Sequence, residues 1–331
     1  MTARNKRYLY NGIGILLSAL FLFFSFRSLG QDGVERMFAV PHPWWLLVVL
    51  ALNFPNMFSR TLIWKTLLNP LKRIPTVILF DILHVGYMAN NLLPLKAGEF
   101  FRCSFVAKKW ELPYTRVLTT IGLERYFSGL SLVMIFVGIT FFMSLPLWLT
   151  SGAYTLMAIL VGVQVWLWIL WAKKPKLENW EKRHPLIYHF FKTMDHIEEG
   201  SSVLKSPKAF AFLVLLGLIT WVWQFGMLRV IEMAYDLQLP WTSTMFVVLA
   251  VNLAIALPSA PGNLGTFEFA SILAYGFVGV DKATALGVGI FFHFLQVIPV
   301  TLVGLFYYWR WGIRFKDMER EAESGLEQAI T

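Results

Sequence analysis

The chain has 331 residues, of which 57% are hydrophobic and 15% are charged, and its mean hydropathy is +0.58. Because average soluble domains carry about 25% charged residues, this composition excludes that class and indicates an integral membrane protein. The net charge of +9 comes from basic residues that flank apolar segments, which favours contact with anionic lipid headgroups over nucleic-acid binding. The lone cysteine, Cys103, excludes an internal disulfide framework.

Apolar stretches predict six membrane-spanning helices. A helix needs about 20 mostly apolar residues to cross a bilayer. The first stretch follows the basic residues Arg4, Lys6 and Arg7, but it is long and lacks a clear small-residue cleavage site, so we expect it to be retained. The predicted spans are 8–29, 43–68, 117–143, 147–172, 208–234 and 283–310.

Basic residues predict the orientation of these spans. If the amino terminus is cytoplasmic and the spans alternate, most of the 29 Lys and Arg residues fall on the cytoplasmic side, and Arg27, Arg36 and Lys282 are left outside. Membrane proteins carry an excess of Lys and Arg in their cytoplasmic loops. The sequence therefore predicts a multi-pass protein of a bacterial-type plasma (inner) membrane with both termini in the cytoplasm.

Two polar interruptions break this alternation. The first is NNLLPLKAGEFFR, residues 90–102, and the second is LPSAPGNLGTFE, residues 257–268. Irregular backbone at membrane depth is tolerated only where it is buried in protein or lines a wet cavity. We therefore predict two re-entrant hairpins, one entered from the cytoplasm and one from outside, whose breaks face inward and meet. The predicted breaks are at Pro94, Gly98, Pro258, Pro261, Gly262 and Gly265.

The two interruptions share a pattern. In each, a Leu-Pro pair is followed by a glycine four residues after the proline, and each lies in a series of span, hairpin and span. The first series, approximately 43–143, starts outside and the second, approximately 208–310, starts inside. Paired interruptions in such inverted halves point to a transport site near the membrane midplane. Chance recurrence of a short motif is the alternative.

The predicted fold is thus an all-α polytopic membrane protein with about six full transmembrane helices plus two oppositely oriented re-entrant helical hairpins in an inverted repeat. A single integral-membrane domain covers 1–331. The connection at approximately 173–207 carries apolar residues at helical spacing beside charges, which predicts an amphipathic helix on the cytoplasmic surface. The tail, 312–331, is short and polar.

The first interruption carries the densest cluster of polar groups. An ionisable residue inside a membrane marks a cavity, a substrate path or a proton relay by default. The helix after the break directs free N–H groups and its positive dipole end at the break, which favours an anion. Arg102 either pairs with Glu99, three residues earlier, or binds a phosphate while Glu99 holds an amine. The cluster comprises Asn90, Asn91, Lys96, Glu99 and Arg102.

Further polar residues are weaker candidates. Glu268 begins the half-helix after the second interruption, and Glu124 with Arg125 begins a span. The segment that contains Glu268 either carries function or is only a helix break. Glu124 and Arg125 either line the cavity or flank the interface, and Arg60 either lines the cavity or extends to the cytoplasmic surface. Asp81 and His84, three residues apart, have either a proton-relay or catalytic role or form a satisfied buried pair. His293 and Gln296 line one face of the last span, and a proton-relay or catalytic role stays open for His293. Arg229 with Glu232 is predicted to be a local pair near the outer surface.

Soluble catalytic machinery is not predicted. The sequence contains neither a G-x-x-x-x-G-K-[ST] loop for ATP nor an H-E-x-x-H zinc motif, and no His/Cys cluster suggests a metal. We therefore predict no metal, no cofactor and no direct ATP drive.

These motifs resemble the transmembrane, flippase-like domain of the lysylphosphatidylglycerol synthase family. The residues that carry the resemblance are NNLLPLKAGEFFR, the ERYF segment at 124–127, and LPSAPGNLGTFE. The family shows N-x-L-P-x-x-A-G-E-x-x-R and P-x-x-P-G-G-x-G-x-x-E, so Asn263 departs from it where a second glycine is common. The resemblance covers nearly the whole chain, and it implies a stand-alone member without the aminoacyl-transferase domain.

The resemblance implies translocation of a lipid between leaflets, such as an aminoacylated phosphatidylglycerol or a lipid-linked sugar. It implies headgroup contacts at Glu99 and Arg102, hydrogen bonds from Asn90 and Asn91, and Glu268 as the opposite partner. The expected partners are lipids with anionic headgroups and a separate lipid-modifying enzyme, with no nucleic acid. Two alternatives stay open: an integral-membrane enzyme that uses Asp81, His84 and Glu124 on a lipid phosphate or glycolipid, and an accessory subunit of such an enzyme.

Overall fold

The structure, a computed structural model, describes residues 3–27, 29–93, 97–172, 200–255 and 259–312. Every regular element in these ranges is helical, which confirms the predicted all-α class. Two short 3-10 helices, Ser202–Lys205 and Pro261–Asn263, accompany the α-helices. The α-helices are α1 Ala3–Phe26, α2 Gln31–Phe38, α3 Trp45–Leu68, α4 Thr76–Leu92, α5 Ala97–Lys109, α6 Tyr114–Ile139, α7 Leu147–Ala172, α8 Pro207–Ala234, α9 Trp241–Ala254, α10 Thr266–Phe277 and α11 Lys282–Arg310.

Four of the described helices, α3, α6, α8 and α11, are long and apolar enough to cross a membrane. A fifth span results if the bent pair Gly14–Phe26 and Gln31–Phe38 is counted as one. The four helices coincide with the predicted spans 43–68, 117–143, 208–234 and 283–310 within a few residues. Helix α7 has the predicted bounds of its span, with a shorter apolar stretch over Thr150–Trp166. The described residues therefore contain four or five candidate spans by length and hydropathy, where the full sequence predicts six.

The helices around the two interruptions are short. Helices α4, α5, α9 and α10 have 17, 13, 14 and 12 residues. At 1.5 Å per residue they are roughly 18 to 26 Å long, less than the hydrocarbon core of about 30 Å. The order of one long, two short and one long helix occurs twice, in α3–α6 and in α8–α11. This is the element order that the two motifs predict.

The described residues form two compact units. The first is drawn from Met1–Met57, Asp81–Glu99 and Val222–Ile313, and the second from Phe58–Phe80 and Phe100–Trp221. The second hairpin therefore lies wholly in the first unit. The first hairpin contributes most of α4 and the start of α5 to that unit.

In the first unit, α10 packs against α1 and folds back along α9. The rings of Phe21 and Phe269 stack at 4.9 Å, and the Ala260 amide donates to the Ser18 hydroxyl at 2.8 Å. Phe246, near the start of α9, contacts Phe277 at the end of α10 at 5.0 Å, so the two helices run in opposite directions. The loop between α9 and α10 is thereby held beside α1.

Helix α11 begins at a side-chain cap. The Asp281 carboxylate accepts hydrogen bonds from the amides of Ala283 and Thr284, which have no partners inside the helix. Burial acts to raise the pKa of Asp281, but these bonds outweigh burial and hold that pKa below its ordinary value. The cap therefore fixes where the last long helix starts.

The second unit has an apolar core between α3, α6 and α8. Inside a bilayer there is no hydrophobic driving force between helices, because the lipid tails are as apolar as the side chains. Helix pairs are therefore stabilised by close van der Waals packing. Gly217 on α8 permits such an approach, since a Cβ there would overlap the Ser131 hydroxyl of α6. The core residues are Ile63, Leu67, Leu123, Phe127, Leu204, Leu213 and Leu216.

Several predicted features lie outside the described residues. They are Pro94, Lys96 and Pro258 at the two breaks, most of the amphipathic connection at 173–207, and the tail beyond residue 312.

Candidate functional site

The first break is closed by a side chain from the helix before it. The Asn90 Oδ1 atom, near the end of α4, accepts a hydrogen bond of 2.9 Å from the Gly98 amide at the start of α5. The first amides of a helix have no partner within the helix. Asn90 therefore caps α5 and occupies one of the N–H groups that the sequence offers to an anion.

Gly98 lets the two arms of this hairpin touch. A Cβ at Gly98 would overlap the Gly86 carbonyl oxygen and lie 2.9 Å from the Asn90 amide nitrogen. Only a glycine permits this backbone contact. The predicted break residue Gly98 is helical, as the second residue of α5, and it is a packing position.

Asn91 connects the first break to the second. Its amide group donates to the Thr301 hydroxyl of α11 at 2.9 Å. A Cβ at Gly262 would lie 3.4 Å from the Asn91 carbonyl oxygen. The structure therefore places the two interruptions side by side within the first unit.

The second break turns at two glycines. Gly262 and Gly265 have φ angles of 68° and 83°, a region that residues with a Cβ rarely adopt. The Gly265 amide donates to Glu268 Oε2 at 2.6 Å, so Glu268 caps the helix that it begins. Glu268 is 2% exposed, which places a carboxyl group in the protein interior.

The second oxygen of Glu268 meets a histidine. His293 on α11 places Nδ1 2.6 Å from Glu268 Oε1 and Nε2 2.7 Å from the Gly262 carbonyl oxygen. The Phe267 ring stacks on the imidazole at a centroid distance of 4.3 Å and an angle of 9°. Sequence reasoning names Glu268 and His293 separately, and their pairing comes from the tertiary structure.

A buried ion pair lies in the second unit. Arg102 Nη1 on α5 donates to Glu124 Oε2 on α6 at 3.0 Å, and both residues are almost completely buried. The Arg102 guanidinium lies 4.8 Å from the centre of the Trp64 ring, and the Trp64 indole donates to Thr120 at 3.2 Å. Spacing along the chain does not reveal the aromatic partner.

Four further charged residues that the sequence predicts as site residues are buried or half-buried in the structure. Glu124 Oε1 is buried and has no hydrogen-bond partner among the described residues. Glu99, in the first turn of α5, is half-buried, and its predicted pairing with Arg102 stays a prediction. Arg60 on α3 and Arg125 on α6 are also half-buried.

Glu232 has more partners than the sequence suggests. The predicted local pair with Arg229 is present at 3.1 Å. However, Glu232 is fully buried, and it also accepts hydrogen bonds from the Thr244 hydroxyl at 2.5 Å and the Tyr275 hydroxyl at 2.9 Å. These donors join α9 and α10 to α8, and no short-range spacing could have indicated them.

Asp81 and His84 are both buried on α4. The Asp81 carboxylate lies within hydrogen-bond reach of the Tyr307 hydroxyl of α11. The His84 carbonyl oxygen lies where a Cβ on Gly304 would be, so α4 packs tightly on α11. Among the described residues no three His, Cys, Asp or Glu side chains are grouped so as to hold a metal ion.

Comparison with known proteins gives the chain's relatives. Residues 12–304 match the family described as the lysylphosphatidylglycerol synthase TM region. The chain is also similar to a UPF0104 membrane protein of Methanocaldococcus jannaschii, with 24% identity over 226 residues. That alignment covers 66% of this chain and 92% of the archaeal protein. The family match includes the two interruptions and the helices that flank them.

Proposed function

Since this chain belongs to the family of the lysylphosphatidylglycerol synthase transmembrane region, we propose that it moves a lipid between the leaflets of its membrane. The substrate is an anionic or aminoacylated phospholipid, or a lipid-linked sugar. A separate lipid-modifying enzyme supplies it. The headgroup passes the point where the two helix breaks meet, while the acyl chains stay in the bilayer.

One observation carries the proposal: the first break, at Asn91, adjoins the second break, at Gly262, within a single compact unit. Interrupted helices expose backbone N–H and C=O groups that lipid cannot satisfy. Where such interruptions meet, they form a polar surface at membrane depth that suits a headgroup.

Buried charged groups give further support. Glu124 Oε1 lacks a hydrogen-bond partner in the part of the chain that the structure describes, and leaving a buried acceptor unpaired is costly. An ammonium group of an aminoacylated headgroup fits that acceptor, and Arg102 beside it fits a phosphate. The proposed headgroup contacts in the first unit are Asn90, Asn91, Glu99 and Glu268, and those in the second are Arg60, Arg102, Glu124 and Arg125. Lys96 is proposed from the sequence.

The test is leaflet exchange in reconstituted vesicles. Purified protein is inserted into liposomes that contain a fluorescent phosphatidylglycerol, and an impermeant reductant then bleaches the outer leaflet. Exchange increases the bleached fraction beyond the half that protein-free liposomes show. Mass spectrometry of the same lipids detects any covalent change.

A matched pair of glycine variants tests the site. Gly262→Leu and Gly279→Leu both place a side chain at a positive φ, where an L-residue costs about 1 to 2 kcal/mol. At Gly262 the added side chain meets the Asn91 carbonyl, whereas nothing lies within 4 Å of a Cβ at Gly279. We expect Gly262→Leu to slow exchange at least about tenfold, the equivalent of roughly 1.4 kcal/mol, and Gly279→Leu to retain it.

Two results would contradict the proposal. Equal lipid exchange in both glycine variants would show that the breaks do not line the path of the lipid. A modified lipid product without any exchange in the unmodified protein would favour a membrane enzyme.

A further inference from the structure

We propose that Glu268 and His293 together bind one exchangeable proton, and that this proton is the coupling ion for lipid movement. The bound proton locks the loop of the second break, residues 259–265, onto α11. The coupling role rests on the proposed lipid translocation, whereas the proton site itself does not.

The geometry determines how many protons the pair holds. His293 Nε2 faces the Gly262 carbonyl oxygen at 2.7 Å, and a carbonyl oxygen only accepts, so Nε2 carries a hydrogen. Nδ1 lies 2.6 Å from Glu268 Oε1, and one hydrogen lies between these atoms, on nitrogen or on oxygen. In either form the pair holds one proton more than a carboxylate beside a neutral imidazole.

The surroundings of the pair favour this proton. With it the pair has no net charge, and without it a carboxylate remains in the interior with one hydrogen bond fewer. Glu268 and His293 are the only Asp, Glu, Lys, Arg or His residues in the sequence ranges 14–26, 241–254, 259–277 and 283–309. These ranges cover the parts of α1, α9, α10 and α11 nearest the loop, and the charges of α11, Lys282 and Arg310, lie at its two ends.

The remaining neighbours of α11 bring few charges near the pair. Neutral amides face the following turn of α11: Asn53 of α3 donates to the Leu295 carbonyl, and Gln224 of α8 donates to Gln296. Asp81 and His84 of α4 lie beside Gly304 and Tyr307, roughly 16 Å or more along the helix from His293.

Further ionisable groups belong to the first break, to α2 and to α8. The first break, which adjoins Gly262, carries Glu99 in the first turn of α5. Helix α2 packs on α11 where the Met37 carbonyl meets Gly287, and it carries the charged residues Asp32, Glu35 and Arg36. Arg229 of α8 binds Glu232, which also binds Tyr275. Tyr275 is seven residues along α10 from Glu268, or roughly 10 Å.

Proton release would change the loop. A neutral imidazole has a single N–H, so it can donate to the Gly262 carbonyl or to Glu268 but not to both. The proton passes from the pair to a water molecule that reaches the break, which leaves a carboxylate and a neutral imidazole. Because Gly262 adjoins Asn91, a loop released from α11 alters the surface where the two breaks meet.

The chain offers an almost isosteric test, Glu268→Gln. A glutamine oxygen can accept from the Gly265 amide, its NH₂ can donate to Nδ1 of neutral His293, and Nε2 can still donate to Gly262. This variant keeps every hydrogen bond without the extra proton. The control is His42→Gln, which alters an exposed histidine away from the pair.

The proton site is tested by nitrogen-15 NMR of protein labelled at histidine in lipid nanodiscs, from about pH 5 to about pH 9. The His293 signal is identified by its change in Glu268→Gln and by its loss in His293→Gln. We expect the unmodified protein to show both the proton-bound and the proton-free form of the Glu268–His293 pair, and Glu268→Gln to show the neutral ring throughout. A ring with one fixed protonation state across the range in the unmodified protein would overturn the proposal.

The coupling role is tested by lipid exchange in the same vesicles with a pH gradient imposed in either direction. We expect the exchange rate to change by up to about tenfold per pH unit, as the binding of a single proton allows. Glu268→Gln should show no pH dependence, and His42→Gln should behave as the unmodified protein. The same pH dependence in Glu268→Gln would overturn the coupling role. An unmodified protein without exchange at any pH would overturn the proposed translocation and the coupling, while the NMR result would still decide the proton site.

Discussion

Arg102 and Glu124 show how this protein accommodates charge within apolar helices. Each residue is almost fully buried, and the two meet at 3.0 Å beside the Trp64 ring. Burying either charge alone carries a large desolvation cost, which the partner offsets. The pair therefore acts as a unit, and the single variants have to be compared with the double variant.

A double-mutant comparison measures this dependence. Removing one partner of a buried ion pair costs about 3 to 5 kcal/mol, whereas replacing both by apolar residues is often neutral. We expect Arg102→Met and Glu124→Leu each to lower the midpoint of thermal unfolding, and the double variant to recover most of the loss. Methionine is chosen because its thioether can keep contact with the Trp64 ring.

Cys103 provides the measurement. It is the chain's single cysteine and is buried, so its reaction with a fluorescent maleimide reports unfolding in detergent. Losses that simply add in the double variant would show that the two charges do not stabilise each other.

At the scale of elements, the short helices depend on close backbone contact. Helices α4 and α5 meet at Gly86 and Gly98, and Asn90 caps α5 across the break. Helices α9 and α10 are joined to α8 by the hydroxyls of Thr244 and Tyr275, which bind Glu232. Helices this short have few internal hydrogen bonds, so such tertiary contacts determine their position.

Gly98→Ala tests the first of these contacts. The added methyl group would overlap the Gly86 carbonyl oxygen, and backbone atoms cannot move aside as a flexible side chain can. We expect a loss of about 3 kcal/mol in stability, the upper range for overpacking, together with slower lipid exchange. Thermal unfolding followed through Cys103 gives the first quantity.

The matched control is Gly122→Ala on α6. Nothing lies within 4 Å of a Cβ at this exposed helical position. Alanine there should be neutral or stabilising by up to about 1 kcal/mol, because glycine is a poor helix former. A Gly98→Ala variant as stable as this control would refute the close contact between α4 and α5.

At the scale of the whole molecule, the three basic residues that the sequence predicts to be outside belong to helix ends that lie together in the first unit. The Lys282 ammonium donates to the carbonyl oxygens of Phe24 and Arg27 at 2.9 and 2.6 Å. The Tyr235 hydroxyl donates to the Met37 carbonyl. The end of α1, the end of α2, the end of α8 and the start of α11 thus lie at one end of this unit. That end contains the three basic residues that the sequence predicts to be outside.

Labelling of single cysteines tests the orientation. In a Cys103→Ala background, Gln238→Cys and Lys72→Cys place thiols at exposed positions after α8 and after α3. We expect an impermeant maleimide to label Gln238→Cys in intact cells and Lys72→Cys only after permeabilisation, since basic loops stay in the cytoplasm. The background protein should remain unlabelled, and the reverse pattern would invert the predicted topology.

The sequence by itself determined the all-α class, the four long apolar helices and the two polar interruptions. Runs of apolar residues predict α3, α6, α8 and α11 because a backbone in lipid must satisfy its own hydrogen bonds. The proline and glycine residues in NNLLPLKAGEFFR and LPSAPGNLGTFE mark the two interruptions because they cannot continue a helix without cost. These signals are local, so a single chain is enough to find them.

Only the tertiary structure decided how the polar groups are paired. Spacing along one helix reveals neighbours three or four residues apart, such as Arg229 and Glu232. The contacts of Glu268 with His293 and of Arg102 with Glu124 join different helices, and their existence depends on how those helices pack. The packing of the helices forms the buried ion pair of Arg102 with Glu124. It also places His293 between the Glu268 carboxyl group and the Gly262 carbonyl oxygen.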